Sequence, residues 1–568
     1  MTAGQVRGKT IAPATTATER FRAARDMLVA RRLDHDAAYA EFAWPRLPTF
    51  NWALEWFDVV ARGNDQVALE LFHPDSAGLT VSYAQMSARS SSIANWLREL
   101  GVARGDRVMI ILGQQQELWE SVLACLKLGA VIIPTYPSLT APEATDRVIR
   151  GRVHHLICRA DTAERFSGAP VPGLRVAVSG DVPGWTPYDD GRSGNPVFRS
   201  NTPTPSNDIA FCYFTSGTTS QPKLVAHTHA SYPVGHLSSL YWNGLLPGDR
   251  HLNISFPGWA KHSWSSLFVP WSAEATVIAL TPDRVDAQIL PRLLTELRVD
   301  TFCAPPSVWR GMRACLSSSR PALREALSAG EPLEPDLAGA IRQAWGIPVR
   351  DGYGQTEATA LVGTTPGLPS RAGWIGKPLP GYRIFLEDPD ASGCGELCVD
   401  LATDPVGIMA GYLDDAERTA GVRTGGLYRT GDVAQMSSDG WIRLLGRRDE
   451  MFKSFDRRIS PYEIESVLRR HPVVADVAVV PRSHPIGGAV AQAVVVLERG
   501  HRPGVALEAA LLAYAARHLT DELRPRSVRF SDRLPRTASG KVRRTELAAR
   551  TTGPDDFRDQ RPAGHPRA

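Results

Sequence analysis

Apolar residues recur along this chain in two alternating patterns, short continuous runs and longer stretches with helical spacing. The runs Arg107–Leu112 and Val131–Pro134 predict buried strands, and Tyr83–Leu100 and Gln116–Leu128 predict helices. Only short connections separate these elements. Strands and helices that alternate in this way predict a parallel sheet covered by helices, which is an α/β fold.

The segments on either side of this region have a less regular pattern. Residues 1–15 are rich in Thr, Ala and Gly, and we expect disorder there. The arginine-rich stretch from Thr18 to about Leu33 predicts an amphipathic surface helix rather than a nucleic-acid arm. Phe50–Ala61 predicts a strong amphipathic helix, and the Pro, Gly, Asp and Ser residues of 160–206 predict irregular connections.

The second half of the chain continues the alternation of strands and helices and then becomes rich in short predicted strands. A strand is predicted over 300–304 and a helix over 337–345, and residues 373–448 predict a β-rich subdomain of short strands and Gly turns. After Gly446–Glu450 comes a compact unit of alternating elements. Its helices are predicted over Pro461–Arg470 and Val505–His518, and its strands over Val474–Val480 and Ala491–Leu497.

These changes of pattern divide the chain into four predicted parts. They are an N-terminal extension with its helix (1–48), a large N-terminal body (49–448), a small α+β C-terminal domain (449–550) and a disordered tail (551–568). The large body combines parallel α/β layers with the β-rich subdomain. We find no internal repeats.

Composition narrows the class of protein. Hydrophobic residues make up 43% and charged residues 22% of 568 residues, and the net charge is only +4, so nucleic acid is not an expected partner. No apolar run reaches about 18 residues, so no membrane span is expected, and the N-terminus lacks the apolar segment of a secretory signal. Seven scattered cysteines predict free thiols, hence a reducing cytoplasm, and Cys394 and Cys398 do not make a convincing zinc site.

Lysine is rare in this chain: only seven of the 64 basic residues are lysine, and the others are arginine. Where lysine persists, a compact ammonium group is a plausible requirement, although chance survival is the alternative. Lys223, Lys453 and Lys541 fall in stretches that resemble motifs.

One such stretch is the segment from Thr215 to Lys223, which follows the predicted buried strand Ile209–Phe214. A loop of small hydroxyl residues around a glycine can turn its backbone N–H groups toward phosphate oxygens, and Lys223 adds a positive charge. A Ser/Thr-rich surface turn is the alternative. The ending of a Walker loop is missing.

Six further stretches accompany this loop in a fixed order. They are Gly330-Glu-Pro332, Asp351-Gly-Tyr-Gly-Gln-Thr-Glu357, Tyr428-Arg-Thr-Gly-Asp432, Gly446-Arg-Arg-Asp449, Arg458-Ile-Ser-Pro461 and Pro535-Arg-Thr-Ala-Ser-Gly-Lys541. Together the seven stretches resemble the AMP-forming adenylating enzymes, a family of acyl-CoA synthetases, adenylation domains and luciferases, from about Phe50 to Leu547. The stretches Phe50-Asn-Trp-Ala and Gly258-Trp-Ala-Lys-His262 resemble the acetate and medium-chain acyl-CoA synthetase branch.

The resemblance implies a reaction in two halves, with ATP, Mg²⁺ and CoA as cofactors and a small carboxylic acid as substrate. The acid first attacks the α-phosphate of ATP to give acyl-AMP and pyrophosphate, and a thiol then displaces AMP. Thr356 would bind the α-phosphate, Glu357 would hold Mg²⁺, and Lys541 would stabilise the charge that develops. The residues implied for the β- and γ-phosphates are Thr215, Ser216, Gly217, Thr218, Thr219 and Lys223.

The resemblance also assigns the nucleoside. Asp432 would accept hydrogen bonds from the ribose hydroxyls with help from Arg447, and Gln355 belongs to the same ATP site. Tyr353 would stack on the adenine, with ordinary core packing as the alternative. The remaining implied walls of the adenine site are Gly330, Glu331, Pro332, Asp351 and Gly352.

For the second half of the reaction, the resemblance implies that the small domain swings about a hinge at Asp449, so that Lys541 leaves the site. Arg458 would then bind the nucleotide end of CoA, a role that suits a guanidinium. The residues implied for the CoA side are Lys453, Ser454, Asp456 and Arg458.

Two residues depart from the family pattern on the loops. Ser220 stands where many relatives have glycine and some close ones have serine, and Asp456 stands where most of the family has glycine and places a carboxylate beside the incoming thiol. One interpretation is a tolerated substitution with CoA still the acceptor. The alternatives are an acyl-AMP ligase that delivers to an acyl carrier protein or an amine and, more distantly, a non-catalytic sensor.

The acid pocket is implied by Trp259, His262 and Gly354, with Trp264 close by. Enzymes strict for acetate carry Trp where this chain has Gly354, so we expect a medium-chain or aryl acid rather than acetate alone. Simple packing of the aromatic residues against their neighbours is the alternative.

Overall fold

The computed structural model describes residues 16–74, 77–215, 222–281, 286–391, 393–455, 457–484, 488–536 and 542–551. The predictions of disorder for 1–15 and for the tail after 551 lie outside these ranges. Within them, no helix combines the length and the apolar character needed to cross a bilayer.

Sixteen α-helices occur in the described ranges. They are α1 (Ala17–Ala30), α2 (His35–Glu41), α3 (Asp58–Val60), α4 (Tyr83–Glu99), α5 (Gln116–Leu128), α6 (Ala141–Gly151), α7 (Leu237–Asn243), α8 (Ala260–Ser263), α9 (Val269–Ser272), α10 (Leu290–Glu296), α11 (Pro306–Met312), α12 (Pro335–Trp345), α13 (Ala416–Val422), α14 (Pro461–Leu468), α15 (Val505–His518) and α16 (Arg544–Thr551).

The same ranges contain 27 strands. They are β1 (Val67–Phe72), β2 (Leu79–Ser82), β3 (Arg107–Ile111), β4 (Val131–Pro134), β5 (His155–Arg159), β6 (Arg175–Val178), β7 (Thr186–Pro187), β8 (Ile209–Thr215), β9 (Lys223–Thr228), β10 (Arg250–Asn253), β11 (Thr276–Leu280), β12 (Thr301–Ala304), β13 (Glu325–Ala329), β14 (Val349–Gln355), β15 (Ala358–Gly363), β16 (Lys377–Pro378), β17 (Ile384–Glu387), β18 (Cys394–Asp400), β19 (Gly411–Tyr412), β20 (Arg423–Thr424), β21 (Leu427–Met436), β22 (Ile442–Arg447), β23 (Phe452–Ser454), β24 (Arg457–Ile459), β25 (Val474–His484), β26 (Gly488–Leu497) and β27 (Ser527–Phe530).

Two large sheets form the body of the molecule. One has the strand order β16-β15-β14-β13-β12-β10-β11-β1-β2 and is parallel from β14 to β1; the other has the order β19-β9-β8-β4-β3-β5-β6-β7 and is parallel from β8 to β7. Apolar residues of both sheets, such as Ile132 and Leu327, belong to one buried cluster. The predicted α/β class is confirmed.

Two smaller sheets account for the rest of the predicted fold. The β-rich subdomain contains the antiparallel strands β17, β18, β20, β21 and β22. The C-terminal unit has a five-stranded sheet with its own apolar cluster, which includes Ile464, Val479 and Leu511 from α14, β25 and α15. This is the predicted α+β unit, while the exact domain bounds stay a prediction.

The structure corrects two expectations about regularity. Residues 160–206 are not only irregular connections, since β6 and β7 extend the second large sheet by parallel pairing; β6 is too short to show a period in the sequence. The helix predicted over Phe50–Ala61 is a π-helical turn, Ala53–Phe57, followed by the short α3; Trp52, Trp56 and Phe57 form its buried face.

Candidate active site

The predicted nucleotide motifs meet at the carboxyl edge of the first large sheet. Strands β12, β13 and β14 are parallel neighbours; β13 ends at Ala329, directly before Gly330, and β14 carries Asp351 to Gln355. In open α/β sheets this edge is where ligands bind. The fold therefore brings the separate Gly330-Glu-Pro332 and Asp351–Gln355 motifs side by side.

A single carboxylate lies at the centre of the candidate ribose site. Asp432 Oδ2 accepts hydrogen bonds from Tyr353 OH at 2.5 Å, from Gln355 Nε2 at 2.5 Å and from Arg447 Nη1 at 3.4 Å. Asp432 is only 8% exposed, and a buried carboxylate needs such charged and polar donors. Tyr428 OH in turn donates to Gln355 Oε1 at 2.8 Å.

Register explains how Asp432 and Arg447 meet, since they are directly paired residues on the antiparallel strands β21 and β22. The Asp432 charge raises the pKa of Arg447 further above its ordinary value, and burial of the ring raises the pKa of Tyr353 well above its ordinary value. Arg447 is therefore charged, and Tyr353 keeps its hydroxyl proton. The Tyr353 hydroxyl donates to Asp432 in this cluster. Stacking of the Tyr353 ring on adenine stays a prediction.

The predicted catalytic pair, Thr356 and Glu357, forms the tight turn between β14 and β15, in which Gln355 pairs with Ala358. The turn is held from two sides. His227 contacts Thr356 O through its Nε2 at 2.7 Å, and Met409 N donates to Glu357 O at 2.8 Å.

The candidate phosphate loop connects the antiparallel strands β8 and β9, whose residues Thr215 and Lys223 are paired. Residues 216–221 between them, hence Ser216, Gly217, Thr218, Thr219 and Ser220, lie outside the described ranges. The Lys223 ammonium lies 5.1 Å from the centre of the Tyr412 ring, and Tyr412 OH donates to Glu357 Oε1 at 3.0 Å. One tyrosine therefore connects the loop's lysine to the predicted metal ligand, a hard carboxylate of the kind that Mg²⁺ prefers.

In the predicted adenine site, the Asp351 carboxylate accepts hydrogen bonds from two backbone amides. Its Oδ1 accepts from Gly352 N at 2.9 Å and its Oδ2 from Leu333 N at 3.4 Å. Burial raises the pKa of the Asp351 carboxyl to about 7, and these two amides oppose part of the rise. Glu331, in the facing wall, pairs with Arg310 at 3.4 Å.

The raised pKa of Asp351 makes stability depend on pH. The folded state keeps this proton up to about pH 7, whereas the unfolded chain releases it near pH ~3.9, so the folded state binds more protons between these values. Stability contributed at this site is therefore lost as pH rises from about 4 to 7. Asp351→Asn removes the titration, and its stability relative to wild type should be higher at pH 8 than at pH 5.

Urea unfolding of both proteins at the two pH values measures this difference. Asp36→Asn is the matched control, because the Asp36 side chain is 88% exposed, and its stability relative to wild type should change little with pH. If the free energies of unfolding of Asp351→Asn and wild type differ by the same amount at pH 5 and pH 8, the raised pKa of a buried Asp351 carboxyl is contradicted.

Of the residues predicted for the acid pocket, His262 lines a small cavity, whereas Trp259 and Gly354 do not. His262, together with Trp119, Leu118 and Leu267, lines a cavity of about 20 Å³, and His262 Nε2 lies 3.0 Å from Gln114 Oε1. Burial lowers the pKa of His262 to about 3, so the ring is neutral. The cavity has room for about one water-sized group.

The helix α8 that carries His262 is fixed at its start. Gly258 has a φ of +98°, and a Cβ there would lie 2.5 Å from Tyr136 N, so only glycine permits this approach. The next residue, Trp259, stacks on the Tyr136 ring at 5.2 Å. Trp264 packs against His236 and Trp242, which matches the packing alternative for that residue.

Gly354 does not leave open space in the direction of a side chain. A Cβ there would lie 2.5 Å from Thr359 O on the adjacent strand β15. The glycine is required by this close backbone approach, next to two irregularities in the β14–β15 register. Its proposed effect on acid size stays a prediction that this geometry does not support.

The described residues predicted for the CoA side lie on the first strands of the C-terminal unit, and the predicted hinge residue lies just before them. Lys453 is exposed and Ser454 is buried on β23, and Lys453 is paired with Arg458 of β24; Asp456 and the Arg458 side chain are not among the parts described. Asp449 accepts from Arg447 Nε at 3.2 Å.

Lys541 also lies outside the described residues, but both ends of its loop are fixed. Arg536 and Val542 form an antiparallel bridge, and Arg543 N donates to Pro535 O at 2.8 Å. Directly after the loop, Arg544 donates to Glu450 Oε2 at 2.7 Å and to Glu465 Oε1 at 2.8 Å. The lysine loop is therefore tied to the residue next to the predicted hinge.

Sequence reasoning did not assign four side chains that take part in the site. Tyr428 lies in a motif that was recognised, but its contact with Gln355 spans 73 residues of sequence. Tyr412 and His227 lie in no recognised motif, and Lys261 lies in the Gly258–His262 stretch without an assigned role. Their roles depend on long-range contacts, which periodicity does not encode.

The fold and the arrangement of the site define an adenylate-forming enzyme. Solved structures with the same fold include the anthranilate CoA ligase AuaEII bound to anthranoyl-AMP, with a TM-score of 0.79, 24% identity and coverage of 89% of this chain and 98% of that one. MatB from Rhodopseudomonas palustris with bound ATP gives a TM-score of 0.78 at 23% identity, over 88% of this chain and 99% of that one.

The sequence comparisons establish the family. The model of AMP-binding enzymes matches residues 56–413, and that of the AMP-binding enzyme C-terminal domain matches 463–541. The 4-hydroxybutyrate–CoA ligase 1 of Metallosphaera sedula is 34% identical over 89% of this chain and 91% of its own length. The mitochondrial acyl-coenzyme A synthetase ACSM3 of Homo sapiens is 31% identical over 82% of each chain. This chain belongs to the AMP-binding enzyme family and is an AMP-forming ligase.

Proposed function

We propose that this enzyme activates a carboxylic acid larger than acetate with ATP and transfers the acyl group to CoA. The observation that carries the proposal is the series Lys223, Tyr412 and Glu357, which places the loop's lysine and a metal-binding carboxylate on either side of one tyrosine. Phosphoryl transfer needs this combination of cation and metal around the reacting phosphate. The similarity to CoA ligases supports the choice of CoA.

The residues divide the work of the first half-reaction. Asp432, held by Tyr353, Gln355 and Arg447, binds the ribose hydroxyls through its carboxylate oxygens. Thr356 donates to the α-phosphate from a turn whose carbonyls are already bonded. Lys541 stabilises the negative charge that grows on the phosphoryl oxygens. The adenine lies between the Gly330–Pro332 and Asp351–Tyr353 segments.

The acid binds beside α8. Lys261 on this helix influences which chemical group the acid can carry at the end away from its reacting carboxylate. Lys261 is half-buried, and its Nζ donates to Ala329 O at 3.2 Å, at the carboxyl end of β13. An ammonium has three donors, and the bond to Ala329 O uses one of them, so Lys261 can donate to a further oxygen of an acid that reaches it. We therefore propose a short acid with a hydroxyl or second carboxylate, a choice that the relative named for 4-hydroxybutyrate also supports.

Lys261→Met tests this choice of acid. Loss of a hydrogen bond to a charged group is worth ~1.5–3 kcal/mol, so kcat/KM for 4-hydroxybutyrate should fall about tenfold or more. Butyrate has the same length without the hydroxyl, and its kcat/KM should change less than about threefold, since no hydrogen bond is lost. Lys261→Arg keeps the charge as a control. Equal losses for both acids would show that Lys261 only supports the structure.

Production of AMP from ATP and Mg²⁺ tests the proposed function. The acids are acetate, butyrate, 4-hydroxybutyrate, octanoate and benzoate, each with and without CoA, and the products are identified by mass. A CoA-dependent acyl-CoA product is expected. Acid-dependent pyrophosphate exchange without any effect of CoA would indicate another acceptor, and Asp456→Gly would be the first variant to examine. Turnover of acetate alone would overturn the proposed acid.

We also propose that the enzyme works in the cytoplasm. All seven cysteines lie in the described ranges, none of them is in a disulfide, and five of them are buried. Thiols outside disulfides suit a reducing compartment. Fractionation of the native cells with an antibody to the chain would test this location.

A further inference from the structure

A buried histidine lies at the far end of the strand that follows the phosphate loop. His227 is the fifth residue of β9, which begins at Lys223, and its side chain is 0% exposed. Both of its ring nitrogens have a partner, Thr356 O at 2.7 Å and Ser231 Oγ at 3.0 Å. No motif assigns a role to this residue.

The partners fix the tautomer of the ring. A carbonyl oxygen can only accept, so Nε2 carries the proton and donates to Thr356 O. Burial lowers the pKa of His227 to about 4; the bond to Thr356 O opposes this and the Arg423 charge adds to it, so the ring is neutral and Nδ1 accepts from the Ser231 hydroxyl. Ser231 Oγ accepts in turn from Thr228 N at 2.8 Å.

These bonds form a directed series from one motif to another. It runs from the end of β9 through Ser231 and His227 to the peptide between Thr356 and Glu357. At the opposite end of β9, Lys223 reaches the same turn through Tyr412 and Glu357. The hairpin that bears the phosphate loop is therefore connected to the Thr356–Glu357 turn at both ends of one strand.

We propose that His227 is a positioning residue, which sets the Thr356–Glu357 turn against the phosphate loop for the adenylation step. The inference rests on the proposed function. The ring takes no part in proton transfer, because it is neutral and both nitrogens are engaged by protein groups. Its contribution is geometric, and a displacement near 1 Å at such a site is enough to cost about 10²-fold in rate.

The test compares two neighbouring buried histidines. His227→Leu removes the donor to Thr356 O, and His227→Gln keeps a donor at similar reach. His229→Leu is the matched control: His229 is also 0% exposed, and neither of its ring nitrogens has a hydrogen-bond partner among the described residues. The three variants therefore make similar changes in a core of similar burial.

Acid-dependent ATP–pyrophosphate exchange is the first readout. We expect His227→Leu to lower kcat about tenfold or more, with KM for the acid within about threefold of wild type, since the residue touches no substrate. His227→Gln should recover most of kcat, and His229→Leu should resemble wild type. If His227→Leu and His229→Leu lose kcat equally, the positioning role is wrong. If wild type itself exchanges no pyrophosphate with any acid, the proposed function fails instead.

Hydrogen–deuterium exchange supplies a readout that needs no activity. In the free protein, His227→Leu should raise exchange in peptides that cover residues 353–359, because the turn loses the hydrogen bond to Thr356 O. His227→Gln and His229→Leu should leave exchange there unchanged. Unchanged exchange in His227→Leu would overturn the proposal even for an inactive preparation.

Discussion

Replacing Lys541 with alanine should reduce acid-dependent pyrophosphate exchange by about 10²–10³-fold, the usual cost of losing one preorganised charge donor. The loop's ends are fixed by the Arg536–Val542 bridge and by Arg544, so the substitution removes the charge without releasing the loop. The ammonium acts only on charge that develops during attack on the α-phosphate, so kcat should fall much more than the affinity for ATP.

Chemically prepared acyl-AMP separates the two half-reactions. Lys541→Ala should convert it to acyl-CoA at nearly the wild-type rate, because the lysine serves only the first half. Lys377→Ala is the control for loss of a lysine elsewhere; Lys377 lies 4.0 Å from the exposed Asp36, and exchange should be unaffected. Equal losses of both half-reactions in Lys541→Ala would contradict a role limited to adenylation.

Glu325→Gln should lower the free energy of unfolding by about 3–5 kcal/mol, the cost of leaving a buried charge without its partner. Glu325 is 6% exposed and Arg350 is 4% exposed, and two guanidinium nitrogens of Arg350 donate to Glu325 Oε2 at 3.0 and 2.8 Å. Burial lowers the pKa of Arg350, and the Glu325 charge opposes this. The amide of glutamine cannot compensate the guanidinium.

Denaturant unfolding measures the loss, and Arg32→Met provides its control. Arg32 Nη1 donates to the other oxygen of Glu325 at 2.9 Å, but its removal leaves the Arg350–Glu325 pair intact and should cost only about 1–2 kcal/mol. Because Glu325 lies on β13, which leads into Gly330, and Arg350 directly precedes Asp351 on β14, Glu325→Gln should also weaken ATP binding. A loss no larger than that of Arg32→Met would contradict the buried-pair account.

The sequence predicted long, strongly periodic elements well. Helix Gln116–Leu128, strand Val131–Pro134 and helix Val505–His518 have the same bounds in the structure, since apolar spacing over many residues or a fully apolar run leaves few alternatives. The motif order also predicted the family, which the comparisons confirm. Short elements such as β6 carry too few residues for a period, and the π-helical turn at Ala53–Phe57 has the composition of an ordinary helix.

The sequence predicted which residues belong to the candidate site but not the hydrogen bonds between them. Asp432 was expected to meet a ribose, and its protein donors, Tyr353 and Gln355, come from a strand about 80 residues earlier. His227 and Tyr412 had no sequence signal because their contribution depends on which backbone carbonyl or carboxylate they reach. The roles assigned to Lys541, Asp456 and the 216–221 segment stay predictions.

The ties made by Arg544 have a consequence for timing. Its guanidinium joins Glu450, beside the predicted hinge, to Glu465 on α14, and it follows Lys541 by three residues. If the small domain turns at Asp449, the segment that carries Lys541 and the residue beside the hinge, Glu450, move together. Withdrawal of the lysine and arrival of the thiol-side strands are then the same event, so a thiol gains access only when the adenylation geometry has been dismantled. The enzyme would then alternate between two domain positions. The thiol could not attack the acyl-AMP in the position that still catalyses its reverse reaction with pyrophosphate.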